Sequence, residues 1–266
     1  MKRTLGPLET QLLAYAQMRQ LRTIRSGDLT RTLRLTPRQE ARLLSRLAKA
    51  ALIARVWRGV YLVPPRLPLG GKWSPDEILA LNTLMEDRRG RYQICGPNAF
   101  NRYGFDNQMS ARVYAYNNRI SGDRTIGTVA LTLIKVADER LGDTEEVQTK
   151  EGLTAVYSSR VRTLVDAVYD WSRFNGLPRA FAWIQADLAS GRVGATQLVR
   201  AALGYGDIGT IRRIGALLER EAVDASLLRK LARALKPSTS LIPWIPTRPK
   251  RGRVDRRWGV VWNDRA

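Results

Sequence analysis

One stretch of the chain repeats basic side chains at the spacing of an α-helix. In residues 36–49, TPRQEARLLSRLAK, a rotation of about 100° per residue brings polar and basic side chains to one face and leucines to the other. The side chains on the polar face are Arg38, Arg42, Ser45, Arg46 and Lys49. A row of guanidinium and ammonium groups attracts anions, and the planar guanidinium suits phosphate in particular. The pattern predicts an anion-binding helix, and a solvated basic face is the alternative.

The flanking residues predict the elements that position this helix. Thr36 is a good N-cap, and Pro37 suits the first helical position, where its missing N–H costs nothing. The predicted elements are, in order, helices over 8–20, 26–33 and 36–49, then strands over 52–56 and 60–63 around the turn Trp57-Arg58-Gly59. Helix, helix, turn, helix and hairpin is the order of a winged helix-turn-helix, so the sequence predicts DNA binding.

That fold assigns roles to the candidate residues. Residues early in a recognition helix reach base edges more often than later ones, so base contacts are expected from Arg38, Gln39 and Arg42. Arg46 and Lys49 are expected to contact phosphates. Arg58, at the hairpin tip, is expected in the minor groove or on a phosphate, and Trp57 is expected to pack rather than stack on a base. The whole predicted DNA-binding set is Thr36, Arg38, Gln39, Arg42, Ser45, Arg46, Lys49 and Arg58.

The distribution of charge supports a nucleic-acid partner. The net charge is +21, and residues 1–64 hold 13 lysines and arginines against 3 acidic residues. Residues 236–266 hold 8 against 2. A basic end of a chain is typical of nucleic-acid binding. The sequence therefore predicts a second basic surface near the end of the chain, made of Arg248, Lys250, Arg251, Arg253, Arg256 and Arg257.

The composition excludes most catalytic arrangements. There is no histidine, so Ser-His-Asp and Cys-His sites are excluded, and with one cysteine, Cys95, no disulfide forms within a chain. Cys95 is expected in the core. The one carboxylate cluster that suggests a metal is Asp138, Glu139, Asp143, Glu145 and Glu146, in a stretch predicted to be a loop. We expect no catalytic residues, no metal and no cofactor.

The rest of the chain predicts a mixed α+β domain. A linker is expected over 65–75, between a DNA-binding domain at 1–64 and a second domain at 76–266. The second domain is expected to contain a helical pair over 210–235 and a basic loop with a terminal strand over 248–263. Asp166 lies among apolar helical residues, and Arg162, one turn earlier, is its expected partner. No signal peptide and no membrane span are predicted, so a cytoplasmic location is expected.

Five segments in order resemble the AbiEi group of antitoxin-regulators from bacterial type IV toxin–antitoxin systems. The first segment is the helix and hairpin LSRLAKAALIARVWRGVYLVP, and the others are GPNAFNRYGF, SSRVRTLVDAV, RRIGALLE and RWGVVWN, at 44–64, 96–105, 158–168, 212–219 and 257–263. The resemblance covers nearly the whole chain, through short motifs. The large basic excess and the arginine-rich segment 248–257 depart from commoner members of the group.

The resemblance implies an autorepressor that binds inverted repeats in its own promoter, as a monomer or homodimer on double-stranded DNA. It also implies a C-terminal region with antitoxin activity against a nucleotidyltransferase-like toxin, which need not be bound stably. Two alternatives remain. One is a metal-dependent nuclease that a winged helix brings to its substrate, and the other is a non-catalytic nucleic-acid-binding adaptor.

Overall fold

The computed structural model describes residues 5–66 and 72–264. The helices in these ranges are α1 (Pro7–Met18), α2 (Asp28–Thr32), α3 (Pro37–Lys49), α4 (Glu77–Asp87), α5 (Gly96–Arg102), α6 (Arg160–Tyr169), α7 (Trp171–Phe174), α8 (Arg179–Ala189), α9 (Ala195–Tyr205), α10 (Ile208–Arg220) and α11 (Ala225–Arg233). The strands are β1 (Thr23–Arg25), β2 (Ala54–Trp57), β3 (Val60–Leu62), β4 (Tyr92–Ile94), β5 (Val113–Asn117), β6 (Gly122–Ile126), β7 (Val129–Lys135), β8 (Thr144–Gln148), β9 (Thr154–Ser158), β10 (Ile242–Pro243), β11 (Arg253–Asp255) and β12 (Val260–Trp262). The fold is α+β, as predicted.

The chain forms two compact units, each built from separated segments. The first unit comprises residues 1–92, 111–137 and 147–155, and the second comprises 93–110, 138–146 and 156–266. The first unit thus takes in more of the chain than the predicted domain at 1–64, whose boundary stays a prediction. Residues 67–71 of the predicted linker lie outside the described residues.

The beginning of the first unit is three helices and a small antiparallel sheet. The sheet has the order β1-β3-β2, in which Thr23 and Ala54 both pair with Leu62. Leucines of α1, α2 and α3 meet in one core, because α1 and α3 each carry an apolar stripe at helical spacing and α2 contributes Leu29. The core residues include Leu12, Leu13, Leu29, Leu43, Leu44 and Leu47, together with Ile24, Ile53 and Tyr61 from the strands and the segments beside them.

Three further strands of the first unit have the order β6-β7-β5. The long strand β7 pairs parallel with β5, where Ala115 lies opposite Leu133, and antiparallel with β6, where Arg124 lies opposite Leu131. The tight β6–β7 turn uses Gly127 at φ +64°, and a side chain there would collide with Pro75. The hairpin fixes the direction of the side chains on β6.

The second unit is mainly helical. The apolar helix α6 contacts α5, α8, α9 and α10, and its Leu164, Val165 and Val168 are fully buried. The helical pair α10 and α11 and the terminal strand β12 confirm three predicted elements. The strand β12 pairs parallel with β10 and antiparallel with β11. Cys95 is buried, as expected.

Some local predictions were wrong or missing. The acidic stretch predicted as a loop contains a 3-10 turn at Asp138–Arg140 and the strand β8. The strands β1 and β6 and the helix α9 were not predicted. Within the described ranges, no helix has both the length and the apolar character needed to cross a bilayer.

Candidate nucleic-acid interface

The helix α3 begins and ends where its sequence requires. The Thr36 hydroxyl accepts a hydrogen bond from the Gln39 N–H at 3.3 Å, and Gln39 Oε1 accepts one from the Thr36 N–H at 2.8 Å. This reciprocal arrangement is a capping box, which satisfies two N–H groups that the helix leaves without intrahelical partners. Because the Gln39 oxygen also accepts from the Thr36 hydroxyl, base recognition by this oxygen would compete with the cap.

The two faces of α3 differ as the sequence predicted. Leu43, Leu44 and Leu47 are at most 1% exposed and contribute to the core. Every residue of the predicted DNA-binding set is exposed: Thr36, Arg38, Gln39, Arg42, Ser45, Arg46, Lys49 and Arg58. Exposure makes these side chains available to a partner; the binding itself stays a prediction.

The exposed cations on α3 are not equivalent. Arg46 Nε lies 3.8 Å from a carboxylate oxygen of Glu9 on α1, at the outer limit of an ion pair. In the described part of the chain, Arg38, Arg42 and Lys49 form no ion pair with a carboxylate. These three side chains therefore have their full charge available for an anion, whereas Arg46 shares part of its charge with Glu9.

Sequence reasoning missed Glu40, which anchors α3. The residue is 3% exposed, and its carboxylate accepts hydrogen bonds from the N–H of Gly27 at 2.7 Å and of Leu29 at 2.9 Å. These groups lie at the beginning of α2, where Gly27 adopts φ +102°. A carboxylate on the leucine face, three residues before Leu43, was the available signal, since a buried charge requires partners.

The hairpin of β2 and β3 carries Arg58 at its tip. The pairing of β2 with β3 shifts between Arg55 and Trp57, and Gly59 turns the chain at φ +73°. The Gly59 carbonyl accepts a hydrogen bond from the Ser26 N–H at 2.8 Å, which holds the tip. Arg58 is exposed at this tip, and Trp57 is half-buried. The guanidinium groups of Arg88 and Arg124 lie over the Trp57 ring.

The predicted second basic surface lies on β11 and the loops beside it. All six of its residues are exposed: Arg248, Lys250, Arg251, Arg253, Arg256 and Arg257. Arg257 forms an ion pair with Glu219, and Arg248 Nη1 donates to the Asp264 carbonyl at 2.9 Å. These contacts engage two of the six cations within the second unit.

The acidic residues of the stretch 138–146 do not form a metal centre. The Asp143 carboxylate accepts a hydrogen bond from the Ser159 hydroxyl at 2.8 Å, which gives it a structural role at the beginning of α6. In residues 5–66 and 72–264, no group of three or more acidic, cysteine or histidine side chains is arranged to hold a metal ion. The nuclease alternative thus gains no support from this stretch.

A buried ion pair lies in the second unit. Arg162 and Asp166 are both fully buried, and Arg162 Nε donates to the Asp166 carboxylate at 2.9 Å, as predicted. Arg162 also donates to the carbonyl of Arg140 at 3.0 Å and lies over the ring of Tyr205. Burial raises the pKa of Asp166, while Arg162 and Arg140 oppose that shift. Because each charge is satisfied by partners inside this unit, the pair has a structural role.

The chain is similar to the crystal structure of the RV2827C protein from Mycobacterium tuberculosis, with a TM-score of 0.59 and 14% identity. The match covers 97% of this chain and 92% of that chain. No protein-family model and no curated protein matches the chain. At this level of identity the likeness concerns the fold alone.

Proposed function

We propose that the N-terminal elements are a winged helix-turn-helix and that the protein is a DNA-binding transcriptional autorepressor. The observation that carries the proposal is the exposed face of α3. There, Arg38, Arg42 and Lys49 form no ion pair with a described carboxylate. The opposite face is held rigidly by the leucine core and Glu40. A helix fixed in this way and basic on its free side suits the major groove.

The arrangement favours duplex DNA over a general anion. The cations are spread along a helix of 13 residues, and Arg58 is a further exposed cation at the hairpin tip. At about 1.5 Å rise per residue the helix is about 20 Å long. A surface of that length meets several phosphates of a duplex at once, which a small anion does not supply. The early residues Arg38 and Arg42 are proposed to read bases, and Lys49 to bind phosphate.

We propose further that the protein is a cytoplasmic antitoxin of a type IV toxin–antitoxin system, acting against a nucleotidyltransferase-like toxin. This part rests on the resemblance of the five sequence segments to the AbiEi group. The predicted second domain, residues 76–266, is proposed to carry the antitoxin activity. A stable complex with the toxin is not required by this proposal.

DNA binding is tested with the duplex directly upstream of the protein's own reading frame. Arg42→Ala is expected to weaken binding by about 1–3 kcal/mol, or about 5- to 150-fold. The matched control is Arg229→Ala, which removes an exposed arginine from α11. Fluorescence anisotropy measures the affinity of both variants. Wild-type binding that does not prefer the upstream duplex over random DNA would overturn the repressor proposal.

Antitoxin activity is tested separately by co-expression. The product of the adjacent reading frame is expressed with and without this protein, and growth is measured. Rescue of growth by the wild-type chain is expected. Rescue by Arg42→Ala is expected as well, because DNA binding is assigned to residues 1–64 and antitoxin activity to residues 76–266. A toxic neighbour that this protein fails to neutralise would refute the antitoxin proposal while leaving DNA binding intact.

A further inference from the structure

Two arginines from other elements lie over the tryptophan of the hairpin. The Cζ atom of Arg124, on β6, is 4.2 Å from the centre of the Trp57 ring, and that of Arg88, at the end of α4, is 4.7 Å away. All three residues belong to the first unit. Contact with the negative face of the ring stabilises a guanidinium while leaving its N–H edge free to bind.

A groove runs beside this cluster. It has a volume of about 450 Å³ and is lined by Arg55, Val56, Trp57, Arg58 and Arg124. Three of the five lining residues are arginines and none is acidic. The pairing of β2 with β3 shifts between Arg55 and Trp57, and an irregularity of this kind redirects side chains on the strand that carries it.

The nearby carboxylates are engaged elsewhere. Asp87, which precedes Arg88, accepts from Arg25 at 2.9 Å. Asp123, which precedes Arg124, pairs with Arg112 at 2.7 Å and accepts from the Thr132 hydroxyl at 2.9 Å. The Nε atoms of Arg88 and Arg124 are buried and have no hydrogen-bond partner in the described structure. Among residues 5–66 and 72–264, no carboxylate therefore neutralises the positive charge of this cluster.

We propose that this groove is a second phosphate site, which binds a phosphodiester of duplex DNA beside the segment that α3 contacts. Arg55, Arg58 and Arg124 supply the N–H donors, and Trp57 holds the Arg124 guanidinium in place. A site built from guanidinium groups recognises phosphate oxygens in any sequence, so it adds affinity without base specificity. The proposal rests on the DNA-binding part of the proposed function.

The test compares Arg124→Gln with wild type on a random-sequence duplex and on the upstream duplex. The slope of log K against log salt concentration is negative, and loss of one phosphate contact reduces its magnitude by about 0.9. Arg124→Gln is expected to reduce the magnitude of the slope by that amount on both duplexes and to raise Kd about five- to tenfold. The preference for the upstream duplex is expected to stay unchanged, because no base contact is lost.

Three further variants make the result decisive. Arg55→Gln alters an exposed residue of the same groove and is also expected to make the salt dependence less steep. Thermal unfolding shows whether Arg124→Gln folds. If it does not fold, Arg55→Gln still tests the groove. Arg229→Gln is the control for loss of one surface charge. Arg42→Ala is expected to reduce the preference for the upstream duplex.

The outcomes separate the two proposals. Unchanged slopes for Arg124→Gln and Arg55→Gln, with weakened binding by Arg42→Ala, would overturn the groove and leave the repressor proposal standing. A second outcome is that the wild-type protein shows no preference for the upstream duplex while Arg124→Gln and Arg55→Gln reduce the magnitude of the slope on random DNA. That result would support the groove as a phosphate site and refute the repressor proposal. Tighter binding of a single-stranded oligonucleotide than of a duplex, lost in Arg124→Gln, would overturn the assignment to duplex DNA.

Discussion

The Glu40 carboxylate on α3 accepts a hydrogen bond from the backbone N–H of Leu29 on α2 at 2.9 Å. Its other oxygen accepts from the Gly27 N–H at 2.7 Å. The N–H groups of a helix's first turn have no intrahelical partners, so one side chain of α3 completes the beginning of α2. The orientation of α3 is thereby fixed by polar contacts as well as by leucine packing.

Replacement of Glu40 is expected to destabilise the first unit. Glu40→Ala leaves the buried N–H of Leu29 without an acceptor, at a cost of about 1–3 kcal/mol, and it also removes the acceptor of the part-buried Gly27 N–H. Glu40→Gln keeps one acceptor and is expected to fall between Glu40→Ala and wild type. Glu86→Gln, on the exposed side of α4, is the control. Urea unfolding measures the change, and equal stability of Glu40→Ala and wild type would contradict the structural role of Glu40.

Gly215 on α10 is expected to tolerate no side chain. A Cβ atom there would lie less than 3.0 Å from ring atoms of the fully buried Trp258. Gly215→Ala is therefore expected to destabilise the second unit by about 1–3 kcal/mol, the usual cost of overpacking. Gly209→Ala on the same helix meets nothing nearer than 3.4 Å and serves as the control. Thermal unfolding compares the two, and equal melting temperatures would refute the prediction.

The buried pair of Arg162 and Asp166 is expected to matter most when only one partner is removed. Arg162→Met leaves a carboxylate in a site with no access to water, at a cost of about 3–5 kcal/mol. Adding Asp166→Asn to this variant is expected to recover part of that loss, because the buried negative charge is gone. Chemical unfolding of both variants tests this; a double variant no more stable than Arg162→Met would argue against it.

Asp106 is expected to make stability depend on acid pH. The backbone N–H of Gln108, with help from Arg179, holds the pKa of the Asp106 carboxyl below its ordinary value. The stabilisation is therefore present above the unfolded pKa of about 3.9 and is lost as pH falls through the folded pKa. NMR titration of the Asp106 carboxyl measures the shift directly, with Asp106→Asn to assign the signal. A midpoint at or above about pH 4 would contradict it.

The sequence predicted α3 well because its signals are local. Thr36, Pro37 and the leucine spacing all lie within the helix or beside it, and the structure places its ends at Pro37 and Lys49. The pairing of Arg162 with Asp166 is equally local, since one helical turn separates them. The exposure of the predicted interface residues on α3 follows from the same periodicity.

Features that depend on distant partners escaped sequence reasoning. The strand β1 has three residues, which is too short for a period-2 pattern, and it exists because β3 pairs with it. The strand β8 is rich in exposed acidic residues, so composition suggested a loop. The contacts of Arg88 and Arg124 with Trp57 join residues far apart in sequence, and no pattern within one element reveals them.

The order of synthesis has a consequence for Trp57. The hairpin leaves the ribosome early, whereas Arg124 belongs to a later segment of the first unit. At about 5–20 residues per second, the nascent hairpin waits several seconds before the guanidinium that lies over its tryptophan is made. During that interval the contact between Trp57 and Arg124 cannot form. A fragment that ends after the hairpin lacks Arg124 altogether. DNA binding measured on such a fragment would therefore describe a hairpin without this contact rather than the full chain.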